Sequence, residues 1–316
     1  VATASQLSKI SRERVRDEFV RILKSEKPMK ALTLALSMGI LRFISPELEK
    51  GVGVEQNQAH SFDVWEHNLR TLQHSADKKF PLHIRLAALL HDVSKPETRR
   101  FVKETKQYTF YGHEVVGSRV TKKILSDLRY PAKIIEKVVK MARWHMFFSD
   151  TGQITLSAVR RMIVNVGRDN IWDLMNLRIC DRIGTGRPKE DPYRLRKYHA
   201  MIEEALRDPI SVKMLKIDGT RIMELTGERP SKKLGDTLNA LLEEVLEDPL
   251  KNTPEYLEKR ALELIQLSET KLATLGEQGR RRKEEEEAEE EQDEVEETDQ
   301  SEDEEEIEGE LVEEEK

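Results

Sequence analysis

The chain has a single cysteine, Cys180, in 316 residues. That excludes a disulfide framework and fits a reducing cytoplasm. No apolar run approaches the roughly 20 residues that a membrane-spanning helix needs, so no membrane partner is expected. Hydrophobic residues make up 37% and charged residues 36%, the balance of a soluble, heavily charged protein. The chain opens on Val1 and not on Met. Its first residues read as mid-helix, so a piece of something longer is expected.

The net charge of −7 hides two opposed parts. Residues 284–316 hold 22 Asp and Glu against one Lys. The residues before them hold 52 Lys and Arg against 38 Asp and Glu, a net of +14. A basic body suits a polyanionic partner such as nucleic acid, although spread Lys and Arg also read as a generic charged surface. The acidic tail has too little apolar surface to fold and is expected to be disordered.

Leu82 to Leu90 is an apolar helical run that delivers His91 and Asp92 side by side. Lys95 follows three residues after Asp92, and Pro96 is read as the helix end. A neutral imidazole and a carboxylate both ligate divalent metals, and the lysine adds positive charge for a phosphate. Alone, the dipeptide reads as the solvated last turn of a helix. The surroundings change that reading. His67 lies upstream, and His113, His145 and Asp181 lie downstream. His67, His91, Asp92 and Asp181 can hold one ion. His113 and His145, with Asp92 bridging, can hold a second. Of the eight histidines, His60, His74, His83 and His199 stand outside this pattern. His74 sits one heptad after His67, so His67 also admits the reading of a surface histidine. The order of ligands resembles the HD-domain metal-dependent phosphohydrolases, in the version with a complete two-metal set. The metal implied is divalent, with Mg, Mn, Co, Ni and Fe all compatible with His/Asp ligands.

Along the chain, Ser11 is a fair N-cap for a helix whose apolar face is Phe19, Val20, Ile22 and Leu23. Ala31 to Met38 reads as a second helix ended by Gly39. A Gly-rich loop spans Gly51 to Asn57. After the His-Asp helix, Arg99–Val102 and Tyr108–Phe110 read as a small hairpin. Helices are expected at His113–Leu128, Ala132–Arg143, Leu156–Val166 and Asn170–Ile183, from apolar residues at three- and four-residue spacing. A break at Gly184 to Pro188 starts a further region. There a helix from Pro192 to Arg207 is expected to expose Arg194, Arg196 and Lys197. Two short helices flank a turn with Lys232 and Lys233, which reads either as a phosphate cradle or as a plain helix connection. Asn252 to Leu275 is read as a final helix. The fold class is all-α, divided into helical neck and body at 1–58, an HD domain at 59–187, a helical tail region at 188–275 and the acidic tail at 276–316.

Further stretches carry a wider resemblance. Ser11-Arg12-Glu13-Arg14-Val15-Arg16-Asp17-Glu18-Phe19, Val54-Glu55-Gln56-Asn57, Phe62-Asp63-Val64-Trp65-Glu66-His67, Tyr111 to Gly117 and Leu241 to Pro249 are similar to the neck and body of bacterial CCA-adding enzymes. These are tRNA nucleotidyltransferases of the poly(A) polymerase family, and the resemblance covers residues 1 to about 267. It implies a helical neck, body and tail that cradle tRNA. Glu13, Arg14 and Glu18 match the Glu-Arg-x-x-x-Glu element of the family's neck. In that family an N-terminal head performs polymerisation with an Asp-x-Asp pair holding two metal ions. No Asp-x-Asp occurs in these residues, so this chain is expected not to add nucleotides, either because the head is missing from this stretch or because the protein is a headless relative.

The expected function is therefore tRNA binding together with HD-type hydrolysis of a 2′,3′-cyclic phosphodiester or a phosphomonoester. Asp92 would bridge the ions, Lys95 would steady a phosphate oxygen, and Arg99 is a weaker candidate for the same task. Two other readings remain: a stand-alone HD hydrolase acting on nucleotides, and an RNA-binding module whose metal site is vestigial. The charge division gives a first test. Affinity for tRNA should fall steeply between 50 and 200 mM salt, as counterion release requires, and deleting residues 284–316 should leave it equal or stronger. Filter binding measures both, and affinity no greater than that of a neutral protein of similar size would refute the RNA reading.

Overall fold

A computed structural model describes residues 4–275 apart from 57–60, 104–105, 149–153, 188, 191 and 273. The acidic stretch from 276 onward, expected to be disordered, lies outside the described residues. After a 3₁₀ turn at Ala4–Lys9, the elements in chain order begin with α1 (Arg12–Lys24), α2 (Pro28–Ser37), α3 (Leu41–Ile44), α4 (Pro46–Glu49), α5 (Val64–Asp77), α6 (Leu82–Leu90) and α7 (Lys95–Thr98). A hairpin follows, β1 (Arg100–Val102) and β2 (Gln107–Thr109). Then come α8 (His113–Asp127), α9 (Ala132–Trp144), α10 (Leu156–Val166), α11 (Ile171–Gly184), α12 (Tyr193–Ala205), α13 (Gly219–Thr226), α14 (Lys232–Glu247) and α15 (Pro254–Leu264). The protein is all-α, with one antiparallel two-stranded ladder among the described residues. Among the described residues no helix is long and apolar enough to cross a membrane.

Two compact units divide the described chain. The first holds residues 4–148 and 169–193, the second 154–168 and 194–275. At the middle of the first unit lies α6, buried at every position from Ile84 to Leu90. A helix apolar all round belongs in a core. Around it pack α5, α9, α11 and α1. Arg85 is the polar exception on α6. Its guanidinium donates to the Leu23 carbonyl at 2.8 Å, left open where α1 ends, and to the Phe80 carbonyl just before α6 at 2.9 Å.

In the second unit α10 packs against α14 through Val159, Met162, Ile163 and Val166. Arg160 donates to the Leu246 carbonyl at 3.0 Å, and Arg161 pairs with Glu243 at 3.0 Å and Glu247 at 2.7 Å. This helix lies inside the 59–187 segment by sequence and in the second unit by packing.

Three local readings differ from the structure. Pro96 does not end the His-Asp helix, which stops at Leu90. The proline sits in the first turn of α7, where its missing N–H costs no hydrogen bond. Lys232 and Lys233, read as part of a turn, begin α14, because the Ser231 hydroxyl accepts the Leu234 amide as N-cap. The final helix read from Asn252 to Leu275 is broken. Pro249–Lys251 is a 3₁₀ turn, Thr253 caps α15, and a bend at 265–268 precedes a fresh turn capped by Ser268.

The close fit of α11 on α5 depends on Gly184. A Cβ at this position would stand 2.0 Å from Thr71 Oγ1 and 3.1 Å from the His67 carbonyl oxygen. Gly184→Ala should therefore destabilise the first unit by about 1–3 kcal/mol, the usual range for overpacking. Thr71→Ala in the same chain should recover part of the loss. Thermal denaturation of the three variants measures it, and an unchanged midpoint for Gly184→Ala would contradict the packing described.

Candidate metal centre

Six side chains from five helical elements converge in the first unit. His67 lies in α5, His91 is the C-cap of α6, and Asp92 stands in the turn that follows. His113 opens α8, His145 is the C-cap of α9, and Asp181 lies near the end of α11. All six are buried. The surface reading of His67 is thereby overturned: the buried face of α5 includes it, and α11 covers it.

The distances divide the six into two groups that share one residue. His67 Nε2 is 3.1 Å from His91 Nε2, 3.2 Å from Asp181 Oδ1 and 3.3 Å from Asp92 Oδ2. His91 Nε2 is 3.4 Å from Asp92 Oδ2 and 3.5 Å from Asp181 Oδ1. His67, His91 and Asp181 bring one ligand atom each close enough together to hold an ion, and Asp92 Oδ2 lies beside both histidines. The second group is a triangle. Asp92 Oδ1 is 3.3 Å from His113 Nε2 and 3.4 Å from His145 Nε2, which are 3.2 Å from each other. Those nitrogens approach without hydrogen-bond alignment, so Asp92 Oδ1 is a buried oxygen with no hydrogen bond. A cation between the three atoms would satisfy it. Three donors do not complete the coordination shell of such an ion, which leaves positions for water or substrate.

The other ring nitrogens fix the tautomers. Nδ1 of His91 faces the Ala88 carbonyl at 3.1 Å, that of His113 the Phe110 carbonyl at 2.9 Å, and that of His145 the Ala142 carbonyl at 2.8 Å. Each Nδ1–H donates to the residue three positions before it. For His91 and His145 these are carbonyls left open at a helix C-terminus. Each bond leaves the Nε2 lone pair pointing into the cluster. Gly117 lets α8 approach the His-Asp turn, since a Cβ there would stand 3.1 Å from Ser94 Oγ and 3.4 Å from the His91 carbonyl oxygen.

Charge and burial oppose each other here. Burial disfavours a charged His91, but Asp92 and Asp181 outweigh it and push the imidazole up to about 10. Burial likewise opposes the Asp92 carboxylate, yet His91 and Lys95 hold it well below the usual carboxylate range. Asp181 is held down in the same way by His67, His91 and Arg178 against its own burial. In the absence of a metal, the cluster therefore keeps a proton on His91.

Several residues that the sequence reading missed complete the surroundings. Arg178 donates to Asp181 Oδ2 at 2.7 Å and so leaves Oδ1 for the cluster. Its signal was the three-residue spacing on one helix. Gln56 accepts a hydrogen bond from Lys95 Nζ at 2.8 Å, and Lys95 also lies 2.8 Å from Asp92 Oδ2. Lys95 is thus buried against the shared carboxylate. Arg99 lays its guanidinium on the Tyr108 ring, 3.4 Å from the centroid. His74 and His83 stand outside the cluster, paired with Glu190 and Asp173.

The remaining candidates are spread. Glu13, Arg14 and Glu18 are exposed on α1, opposite the face formed by Val15, Phe19 and Leu23. Of the three α12 candidates Lys197 is exposed, whereas Arg194 and Arg196 are half-buried, because Leu195 and Tyr198 turn the adjoining face inward. At the start of α14 Lys232 is exposed and Lys233 half-buried.

Comparison with known proteins agrees with this architecture. Residues 1–51 match the family described as the probable RNA and SrmB-binding site of polymerase A, and residues 58–183 match the HD domain family. The chain is 36% identical over 236 residues to the CC-adding tRNA nucleotidyltransferase of Thermus thermophilus, covering 74% of this chain and 52% of that protein. It is 30% identical over 236 residues to the A-adding tRNA nucleotidyltransferase of Deinococcus radiodurans, covering 73% and 54%. A multifunctional CCA protein of Neisseria meningitidis is 28% identical over 208 residues, covering 64% and 49%. The chain spans about half the length of these curated relatives.

Because protonated His91 and a cation compete for the same lone pair, metal binding should release a proton. Calorimetric titration of metal-stripped protein with Mn²⁺ near pH 7.5, in buffers of different ionisation enthalpy, should show about one proton released for the first ion. Apparent affinity should rise with pH up to about 10. Heats independent of buffer would contradict this account of the cluster.

Proposed function

The chain belongs to the tRNA nucleotidyltransferase family, matching the portion that bears the RNA-binding and HD domains, and on that premise we propose that it binds tRNA and hydrolyses a phosphate ester at the six-residue cluster. The ester class is a 2′,3′-cyclic phosphodiester or a phosphomonoester. The observation that supports hydrolysis most directly is the division of Asp92, with Oδ2 turned to one set of donors and Oδ1 to the other. A carboxylate so placed could serve both sets of donors. His67, His91, Asp92 and Asp181 would hold one ion, and Asp92, His113 and His145 the other. A divalent pair supplies activation of water and neutralisation of phosphate charge.

The protein's own groups set the rest. The three Nδ1–H bonds keep imidazole lone pairs aimed inward, and Arg178 keeps Asp181 from turning away. Lys95 holds Asp92 ionised at 2.8 Å. Lys95, buried beside that carboxylate, would be the group that meets a phosphate oxygen of the substrate. In this reading residues 1–58 and 188–275 form the tRNA-binding parts on either side of the HD domain at 59–187. Arg194, Arg196, Lys197, Lys232 and Lys233 contribute positive charge to the RNA surface, while Glu13, Arg14 and Glu18 keep the neck element of the family.

Elemental analysis run beside hydrolysis of a 2′,3′-cyclic nucleotide and a chromogenic phosphodiester, with Mn²⁺, Ni²⁺ or Mg²⁺, tests the proposal. His91→Ala and Asp92→Ala should lose both metal and turnover. His113→Ala and His145→Ala should keep partial metal. Lys95→Ala should retain metal, because it removes a competitor for Oδ2, and should slow turnover by about 10- to 100-fold, the scale of one lost charge contact to phosphate. Wild-type protein that holds no metal and hydrolyses nothing with any of the three ions would leave RNA binding as the function.

A further inference from the structure

Between Lys95 and His113 the chain rises into the β1–β2 hairpin, and both stems are fastened to the cluster. On one side the Arg99 amide donates to the Lys95 carbonyl at 3.0 Å, and Lys95 is itself paired with Asp92. On the other side the Phe110 carbonyl accepts the His113 amide at 3.0 Å and faces its Nδ1–H at 2.9 Å. The hairpin is an extension of the frame that carries the donors.

Its strands carry an aromatic and cationic stack. Phe101 is in register with Tyr108, and the two rings meet edge to face with centroids 5.3 Å apart. Arg99 lies two residues before Phe101, on the same side of the strand, and its guanidinium covers the Tyr108 ring at 3.4 Å. Glu55, 3.7 Å away, orients that guanidinium. Phe101 is 55% exposed, so its ring contributes little to the core and leaves an apolar face in water. Arg100, Lys103 and Lys106 on the same hairpin are exposed as well. Aromatic rings interleaved with cations stack bases while holding the phosphates beside them.

We propose that the hairpin is a nucleobase-stacking platform with Phe101 as its specificity-determining residue, which makes the substrate of the adjoining cluster a nucleotide phosphate ester and not a phosphate ester of any kind. The inference rests on the hydrolysis reading above. Strand residues advance about 3.3 Å each, so Tyr108 stands about 7 Å along the strand from Phe110, whose carbonyl holds His113. The platform is therefore joined through Phe110 to one of the donors. A free cyclic nucleotide and the cyclic phosphate end of an RNA present the same base and phosphate.

The test compares wild-type protein, Phe101→Ala and Phe101→Trp on three substrates: 2′,3′-cyclic AMP, a short RNA ending in a 2′,3′-cyclic phosphate, and glycerol 1,2-cyclic phosphate, which has no base. In Phe101→Ala the ratio of kcat/KM for cyclic AMP to that for the glycerol ester should fall about tenfold or more, the effect of losing one stacked base. The loss should lie in KM, and Phe101→Trp should restore it. A larger loss on the RNA than on cyclic AMP would assign the platform to RNA ends, and an equal loss to the terminal nucleotide alone. An unchanged ratio overturns the proposal. A second measurement needs no turnover. The same RNA with 2-aminopurine as its last base should be quenched on binding wild-type protein and not on binding Phe101→Ala. Phe101-dependent quenching without hydrolysis would keep the platform and refute hydrolysis. Hydrolysis with an unchanged ratio and no Phe101-dependent quenching would do the reverse.

Discussion

The Asp92 carboxylate faces two sets of donors at once, and the surrounding bundle is arranged to keep it there. Its Oδ2 faces His67 and His91, and its Oδ1 faces His113 and His145. A buried carboxylate without compensation is costly, and deleting its partners one at a time makes it more so. Here the compensation comes from His91 and Lys95, each rigidly placed. The imidazole of His91 is tied to Ala88, and the ammonium of Lys95 to Gln56. The site is thus held by a charge balance between the carboxylate and its cationic neighbours.

Helix ends do most of the positioning. Three of the six donors stand at a helix end, His113 as the first residue of α8 and His91 and His145 as the C-caps of α6 and α9. At two of these ends the histidine satisfies a carbonyl that the helix leaves open. One hydrogen bond therefore finishes a helix and also sets a tautomer. His67 and Asp181, in contrast, lie within long helices, and they meet because α5 and α11 approach closely at Thr71 and Gly184. Small residues and terminal carbonyls together supply the accuracy that metal geometry requires.

Much of this was legible in the chain. The apolar run at α6 has the composition of a central helix, and its bounds, Leu82 to Leu90, agree with the structure. The hairpin at Arg100–Thr109 stood out from its β-branched and aromatic residues. The six clustered donors were identifiable because His and Asp recur in a distinctive order. What surrounds them was not. Gln56 is joined to Lys95 across 39 positions, and no periodicity reports such a pairing. The exposure of Arg194 and Arg196 was misjudged because charge alone does not say which face of α12 turns inward. The final helix was read as continuous because the caps at Thr253 and Ser268 were given less weight than the apolar spacing around them.

The helix α10 leaves the first unit after His145 and the chain returns to that unit before Asp181, so the second unit is assembled from two separate stretches. No single cut can remove it. A chain ended at residue 193 would keep α10 but lose α14, the helix it packs against. During synthesis the same helix emerges well before Lys232–Glu247 exists to receive it. A nascent chain must therefore carry the apolar face of α10 without that partner over that interval, a natural point for a chaperone to act or for misassembly to begin. Any shortened version intended to isolate the metal cluster would have to replace the excursion between His145 and Asp169 with a polar linker, not simply stop early.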